Sequence, residues 1–156
     1  MSVPRAGDDP AATARAIIAS NLYMVLGTAD EAGHPWVSPV YYAPVGDREF
    51  VWVSRPDALH SCNLARRAEV SIVIFDSSVP IGTGQGVYMA AVAGELAGGA
   101  REHAIAAFSR RSVEHGGHEW TVADVEPPAA LRLYAGEATA HYVLGAVDRL
   151  VPVDMR

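Results

Sequence analysis

Apolar residues recur along the chain at two spacings, every second position in the longer runs and every third or fourth in three shorter ones, and each spacing predicts an element. PAATARAIIASN (residues 10–21) puts Ala14, Ile17 and Ile18 at helical spacing and predicts a short amphipathic helix ending near Asn21. LYMVLGTA (22–29) predicts a strand, and DEAG (30–33) a turn whose glycine supplies a positive φ. HPWVSPVYYAPV (34–45) and GDREFVWVS (46–54) continue as strands, giving a three-stranded meander. Pro35, Pro39 and Pro44 donate no ladder hydrogen bonds, so the second strand belongs at an edge, carries a bulge, or leaves backbone free for a ligand.

PDALHSCNLARRA (56–68) predicts a helix with proline early, Asp57 in the first turn and two arginines in the last. EVSIVIFD (69–76) is a strand, SSVPIGTGQG (77–86) a glycine-rich loop, and VYMAAVAGELAGG (87–99) a strand of small residues. AREHAIAAFSRRSVEHGGH (100–118) predicts a helix stopped by Gly116 and Gly117, and ALRLYAGEATAHYVLG (130–145) one or two closing strands. About six strands and three helices make the fold mainly β (α+β), an antiparallel barrel with flanking helices. Residues 1–9 read as a flexible polar arm and 10–156 as a single domain, which the length and the hydrophobic half of the composition suffice to fold.

Charge narrows the partners. A net charge of -6 without a dense basic run argues against nucleic acid. All twelve Lys+Arg positions are arginine, so Schiff-base chemistry is excluded and any anion is held by Arg, His, hydroxyls or backbone N–H groups. MSVPRAGDDP has no signal-peptide core and no apolar run reaches membrane-spanning length, so the expectation is a cytoplasmic protein without a membrane partner.

Four stretches invite chemistry. GTGQG (82–86) lacks the helix that a dinucleotide fingerprint requires, and reads as a connection. EHGGHE (114–119) has ligand-type residues, but its glycines break helical spacing, so it reads as a helix-terminating loop and no metal is expected. Cys62, the single cysteine, reads as buried packing, and its neighbour His60 points to another side of the helix. SRPDALHSCNLARR (54–67) is the best candidate: Ser54, Arg55, His60 and Ser61 gather where a strand hands over to a helix, a place suited to a phosphate. The competing reading is an ordinary solvated helix cap.

The order of these segments resembles the pyridoxamine 5′-phosphate oxidase-like, FMN-binding split-barrel family. The resemblance lies in LGTADEAGHPWVSPVYYAPVGDREFVWVSRPDALHSCNLARRAEVSIVIFD, with its D-x-x-G turn, its G-x-P-x-x-x-P strand, its strand ending in serine and its helical N-L pair. VYMAAVAGELAG and LRLYAGEATAHYVLG resemble the later strands, so the likeness covers most of residues 12–145. It implies a six-stranded antiparallel split barrel, and a homodimer with a flavin in each of two clefts between the subunits. The backbone of Val37, Ser38, Pro39 and Val40 would run along the flavin ring, Ser54 and Arg55 would contact its phosphate, and His60 and Ser61 would grip it.

Many such relatives carry lysine or arginine where this chain has His60, which adds charge only when protonated. The tail DRLVPVDMR does not reproduce the basic motif of vitamin B6 oxidation. The expected function is therefore hydride transfer between FMN and a small organic substrate, with no side chain identified as catalytic and with Tyr41, Tyr42 or Trp120 as candidates for the substrate side. The alternatives are a deazaflavin reductase and a non-catalytic dimeric module for haem or another small ligand.

Overall fold

The computed structural model describes residues 9–156; most of the proposed arm, residues 1–8, lies outside them. Asp9 caps the first helix, α1 (Pro10–Ser20), accepting a bond from the Ala11 N–H at 3.2 Å. The meander follows as β1 (Tyr23–Ala29), β2 (Pro35–Tyr41), β3 (Ala43–Val45) and β4 (Glu49–Ser54). After α2 (Leu59–Arg66) come β5 (Glu69–Phe75) and β6 (Gly86–Glu95), then α3 (Gly98–Glu114), β7 (Arg132–Leu144) and β8 (Leu150–Val153). Two short 3₁₀ turns, Val122–Asp124 and Ala146–Asp148, flank β7.

The strands form one antiparallel sheet in the order β2-β1-β5-β6-β7-β4-β3, with β8 paired to β7. The expected single strand over 34–45 is two, because Tyr42 interrupts it, bonding its N–H to the Leu22 carbonyl at 3.2 Å and its hydroxyl to the Ile18 carbonyl at 2.6 Å. The two pieces, β2 and β3, are the opposite edges of the sheet, so the sheet curls until its edges meet at Tyr42 and stays split away from it. The proline-rich β2 is thus an edge strand, where missing ladder donors cost nothing. The sequence reading did not include β8, whose LVPV lies beyond the predicted strands.

Alternation places Met24, Leu26, Ile72, Ile74, Phe50 and Trp52 inside the barrel, in a core shared with Ile17 and Ile18 of α1. A second core lies outside it, where Ala104, Ile105 and Phe108 of α3 cover Val51, Leu133 and Ala135. Among the described residues, the outer face of β2, β1, β5, β6 and the later half of β7 has no such cover.

The glycines after α3 act as expected. Gly116 takes φ +82° and donates to Val113 O at 3.1 Å, while Gly117 donates to Ser112 O at 2.8 Å, the two bonds of a Schellman motif. A Cβ on Gly117 would run into Ser112 Oγ, which donates to His118 O at 2.9 Å from a buried residue. Gly117→Ala is therefore expected to destabilise the protein by about 1–3 kcal/mol. Ser112→Ala in the same chain should recover part of the loss, as read by denaturant unfolding; full additivity of the two changes would refute the clash.

Candidate functional site

The predicted phosphate segment sits where β4 ends and α2 begins. The helix starts at Leu59, three residues later than Pro56, so Pro56 and Asp57 lie in the preceding turn and His60 and Ser61 become the second and third helical residues. Ala58 caps the helix without a side-chain acceptor, and the first helical bond runs from Cys62 N to Ala58 O at 2.9 Å. The N–H groups of Leu59, His60 and Ser61 are thus left without acceptors inside the helix.

Two predicted residues meet directly: His60 Nε2 lies 2.9 Å from Ser54 Oγ. Ser54 is buried and His60 half-buried, and burial pushes the imidazole below the ordinary histidine range, so the ring is held neutral. Ser61 is 2 % exposed, and its Oγ makes no hydrogen bond of good geometry. Tyr134, beside Ser61, stacks on Trp52 with ring centroids 5.9 Å apart, and the Trp52 Nε1 is also buried and unpartnered. Burial pushes the Tyr134 phenol up, opposed by the Ser61 hydroxyl. Buried polar groups are normally satisfied, and the Ser61 hydroxyl beside Tyr134 at the helix start is one that is not.

Arg55 is not part of this cluster. Its guanidinium closes on the Asp57 carboxylate, Nε to Oδ1 at 2.8 Å and Nη2 to Oδ2 at 3.0 Å, and Arg55 in turn holds Asp57 below the usual carboxylate range. The β2 residues divide by alternation. Val37 and Pro39 stand on the open outer face, Ser38 turns inward and accepts from Trp36 Nε1 at 3.1 Å, and Val40 is spent on the core. Only the backbone of Val40 is left to touch a ligand.

A family model described as pyridoxamine 5′-phosphate oxidase matches residues 11–139, a span that takes in β1 to β6, α2 and most of β7. The chain belongs to the pyridoxamine 5′-phosphate oxidase-like split-barrel family. Solved structures share its fold. A haem-binding protein from Mycobacterium smegmatis is 23 % identical with a TM-score of 0.75, the match covering 96 % of this chain and 59 % of that one. The haem storage protein HutZ from Vibrio cholerae is 17 % identical with a TM-score of 0.67, over 84 % of this chain and 91 % of that one. An F420 reductase is 16 % identical with a TM-score of 0.60, over 81 % and 94 %. This chain spans about three-fifths of the length of the mycobacterial protein. No curated protein sequence matches it.

The split-barrel helix motif N-L has a physical basis in this chain. Asn63 donates to Thr28 Oγ1 at 3.1 Å and Leu64 enters the core, so the pair fixes α2 against β1. Arg66 bonds Glu31 at 3.1 Å and anchors the far end of the helix to the β1–β2 turn. Thr28 and Tyr134 belong to the site's frame and were missed, since neither is near residues 54–67 in sequence. Asp57, two residues after Arg55, was legible as its partner.

Two expectations fail. Cys62 is exposed, because the helix turns it away from Ser61 and Asn63. Tyr42 is fully buried and lines nothing, with Arg111 5.0 Å above its ring. Tyr41 and Trp120 instead each pack edge-to-face with Phe108, and the Tyr41 hydroxyl lies 2.8 Å from His115 Nδ1.

His60 and the buried His141 share a pH signature. Both imidazoles are held below the ordinary histidine range chiefly by burial; for His141 the contacts with Asp47 oppose the shift and Arg48 adds to it. The unfolded chain then binds more protons than the folded one in mildly acid solution. Stability should be fully present above the ordinary histidine value of about 6.5 and fall as the pH drops through the lower folded values. Urea unfolding from neutral pH to pH ~5 checks this, and His60→Gln should flatten part of the slope.

Proposed function

We propose that the protein is a homodimeric flavin-dependent oxidoreductase that moves hydride between FMN and a small organic substrate. The observation that carries this reading is the Ser54–His60 contact at the uncapped start of α2, with the unbonded Ser61 hydroxyl beneath it. Backbone N–H groups, an imidazole and a hydroxyl converge there as a phosphate requires. The flavin, when bound, supplies the hydride acceptor. Ser54, His60 and Ser61 hold its phosphate, the backbone of Val37–Val40 lies along its ring, and the surrounding walls exclude water.

The uncovered sheet face supplies the dimer surface in this reading. Val25, Val37, Val73 and Tyr88 line a shallow groove of about 330 Å³ across it, and Val37 is 64 % exposed. Apolar surface of this extent is normally covered in solution.

The decisive measurement is the near-ultraviolet and visible absorbance spectrum of the purified protein, before and after incubation with FMN and desalting. Retained flavin is expected. A phosphate on His60 stabilises the imidazolium, so FMN should bind more tightly as the pH falls below about 7, by at most tenfold per pH unit. His60→Ala should remove that dependence, and an unchanged pH profile in the variant would exclude His60 from the phosphate site.

One observation favours a second reading, a haem-binding split barrel. Arg55 is neutralised by Asp57 and His60 is neutral, so the pocket offers donors without an unpaired fixed cation. Colourless protein that gains a Soret band with haemin would establish this reading over the flavin. The deazaflavin alternative is the weakest, since the long acidic tail of that cofactor calls for a larger basic surface than a chain of net charge -6 offers here.

A further inference from the structure

β7 changes partners along its length. Residues 132–137 pair with β4 and 141–144 with β8, and between them an extra residue opposite the Ala90/Ala91 irregularity of β6 bends the strand. Thr139, at that bend, ties back to Ala90 O at 3.2 Å. The gap between the start of β4 and the end of β8 opens into a groove of about 640 Å³, walled by Arg48, Ala138–Tyr142 and Pro152–Arg156. It is remote in sequence from the α2 site, and no step proposed above uses it.

The arginines around it are unequally engaged. Arg15 pairs with Asp47 at 3.1 Å and Arg156 with Asp154 at 3.1 Å. Arg48, in the groove wall, makes no salt bridge among the described residues, although its charge reaches Asp154 on the same wall and helps to lower that carboxyl. Beside it, His141 is 4 % exposed, and its Nε2 lies 3.1 Å from the Asp47 carbonyl. A carbonyl only accepts, so Nε2 carries the proton and Nδ1 keeps its lone pair. Burial lowers the imidazole's pKa and keeps it neutral.

We infer that this groove binds a small organic anion that also carries a hydrogen-bond donor, of the 2-hydroxycarboxylate kind. The anionic end is taken by the Arg48 guanidinium, and the hydroxyl donates to His141 Nδ1. A planar carboxylate suits the arginine fork, and a neutral imidazole acceptor distinguishes a hydroxy acid from a simple one.

The test is an amide and arginine side-chain NMR titration of the full chain with lactate, and with acetate at matched ionic strength. Lactate should give saturable shifts at Arg48, Ala138–His141 and Asp154–Arg156, at concentrations below about 50 mM. It should bind several-fold more tightly than acetate, and Arg48→Gln should weaken it by at least about tenfold. Arg48 is exposed, so its replacement leaves the fold intact, and the unshifted part of the spectrum verifies this. Non-saturable shifts, equal affinity for acetate, undiminished binding in Arg48→Gln, or shifts centred on Ser54 and His60 would each overturn the inference.

Discussion

Trp52→Ala is expected to cost about 3–5 kcal/mol, a large part of the stability of a domain this size. The indole is fully buried in the barrel core, stacked at an interplanar angle of 16° on Tyr134, its cross-strand partner on β7. Its removal takes away both the area term and the stacking, and it leaves a void beside Gly136. Trp52→Phe should cost clearly less, because it keeps a ring on Tyr134 and deletes the orphan Nε1. Chemical denaturation of both variants checks the order. A phenylalanine variant as unstable as the alanine one would mean that Nε1 has a partner, and the floor of the candidate site would then need a different account.

Trp52 also shows what was legible in the sequence and what was not. EFVWVS (49–54) alternates, which announces a strand, and strand aromatics are mostly core residues. That its ring would stack on Tyr134, the neighbour of Ser61, follows only from the register of β4 on β7 and from the placement of α2, both set by contacts distant in sequence. The same holds for Thr28, which Asn63 finds 35 residues away. Local signals did well where the physics is local: the prolines of β2, the Gly116–Gly117 stop, and the gathering of Ser54 with His60. They failed where a neighbour intervened. Arg55 was assigned to a phosphate by residue type, and Asp57 reaches its fork first. Tyr42 read as one more strand residue, yet its two bonds to α1 and its end break the strand. The LVPV of β8 is too short to predict from pattern, and it forms because β7 offers it a free edge.

Val73→Arg is expected to convert a dimer into a monomer. Val73 lies near the middle of the uncovered sheet face, opposite Val25 on one side and Tyr88 on the other. With Val37 and Tyr88 around it, a second copy seated there would desolvate the new guanidinium without a partner. An unpaired buried charge costs about 3–5 kcal/mol, so the dissociation constant should rise by at least about a hundredfold. In the monomer the side chain stays in water, and the fold should survive with little change. Sedimentation velocity at micromolar concentration reads the assembly, and FMN retention on the same samples reads the site. A dimeric parent that holds flavin, beside a monomeric variant that has lost it, would place the cofactor in a cleft that both subunits build. A parent that is already monomeric and still holds FMN would remove the homodimer while keeping the flavin. A variant that remains dimeric would move the interface off this face, leaving Val37 and Val73 to a different cover.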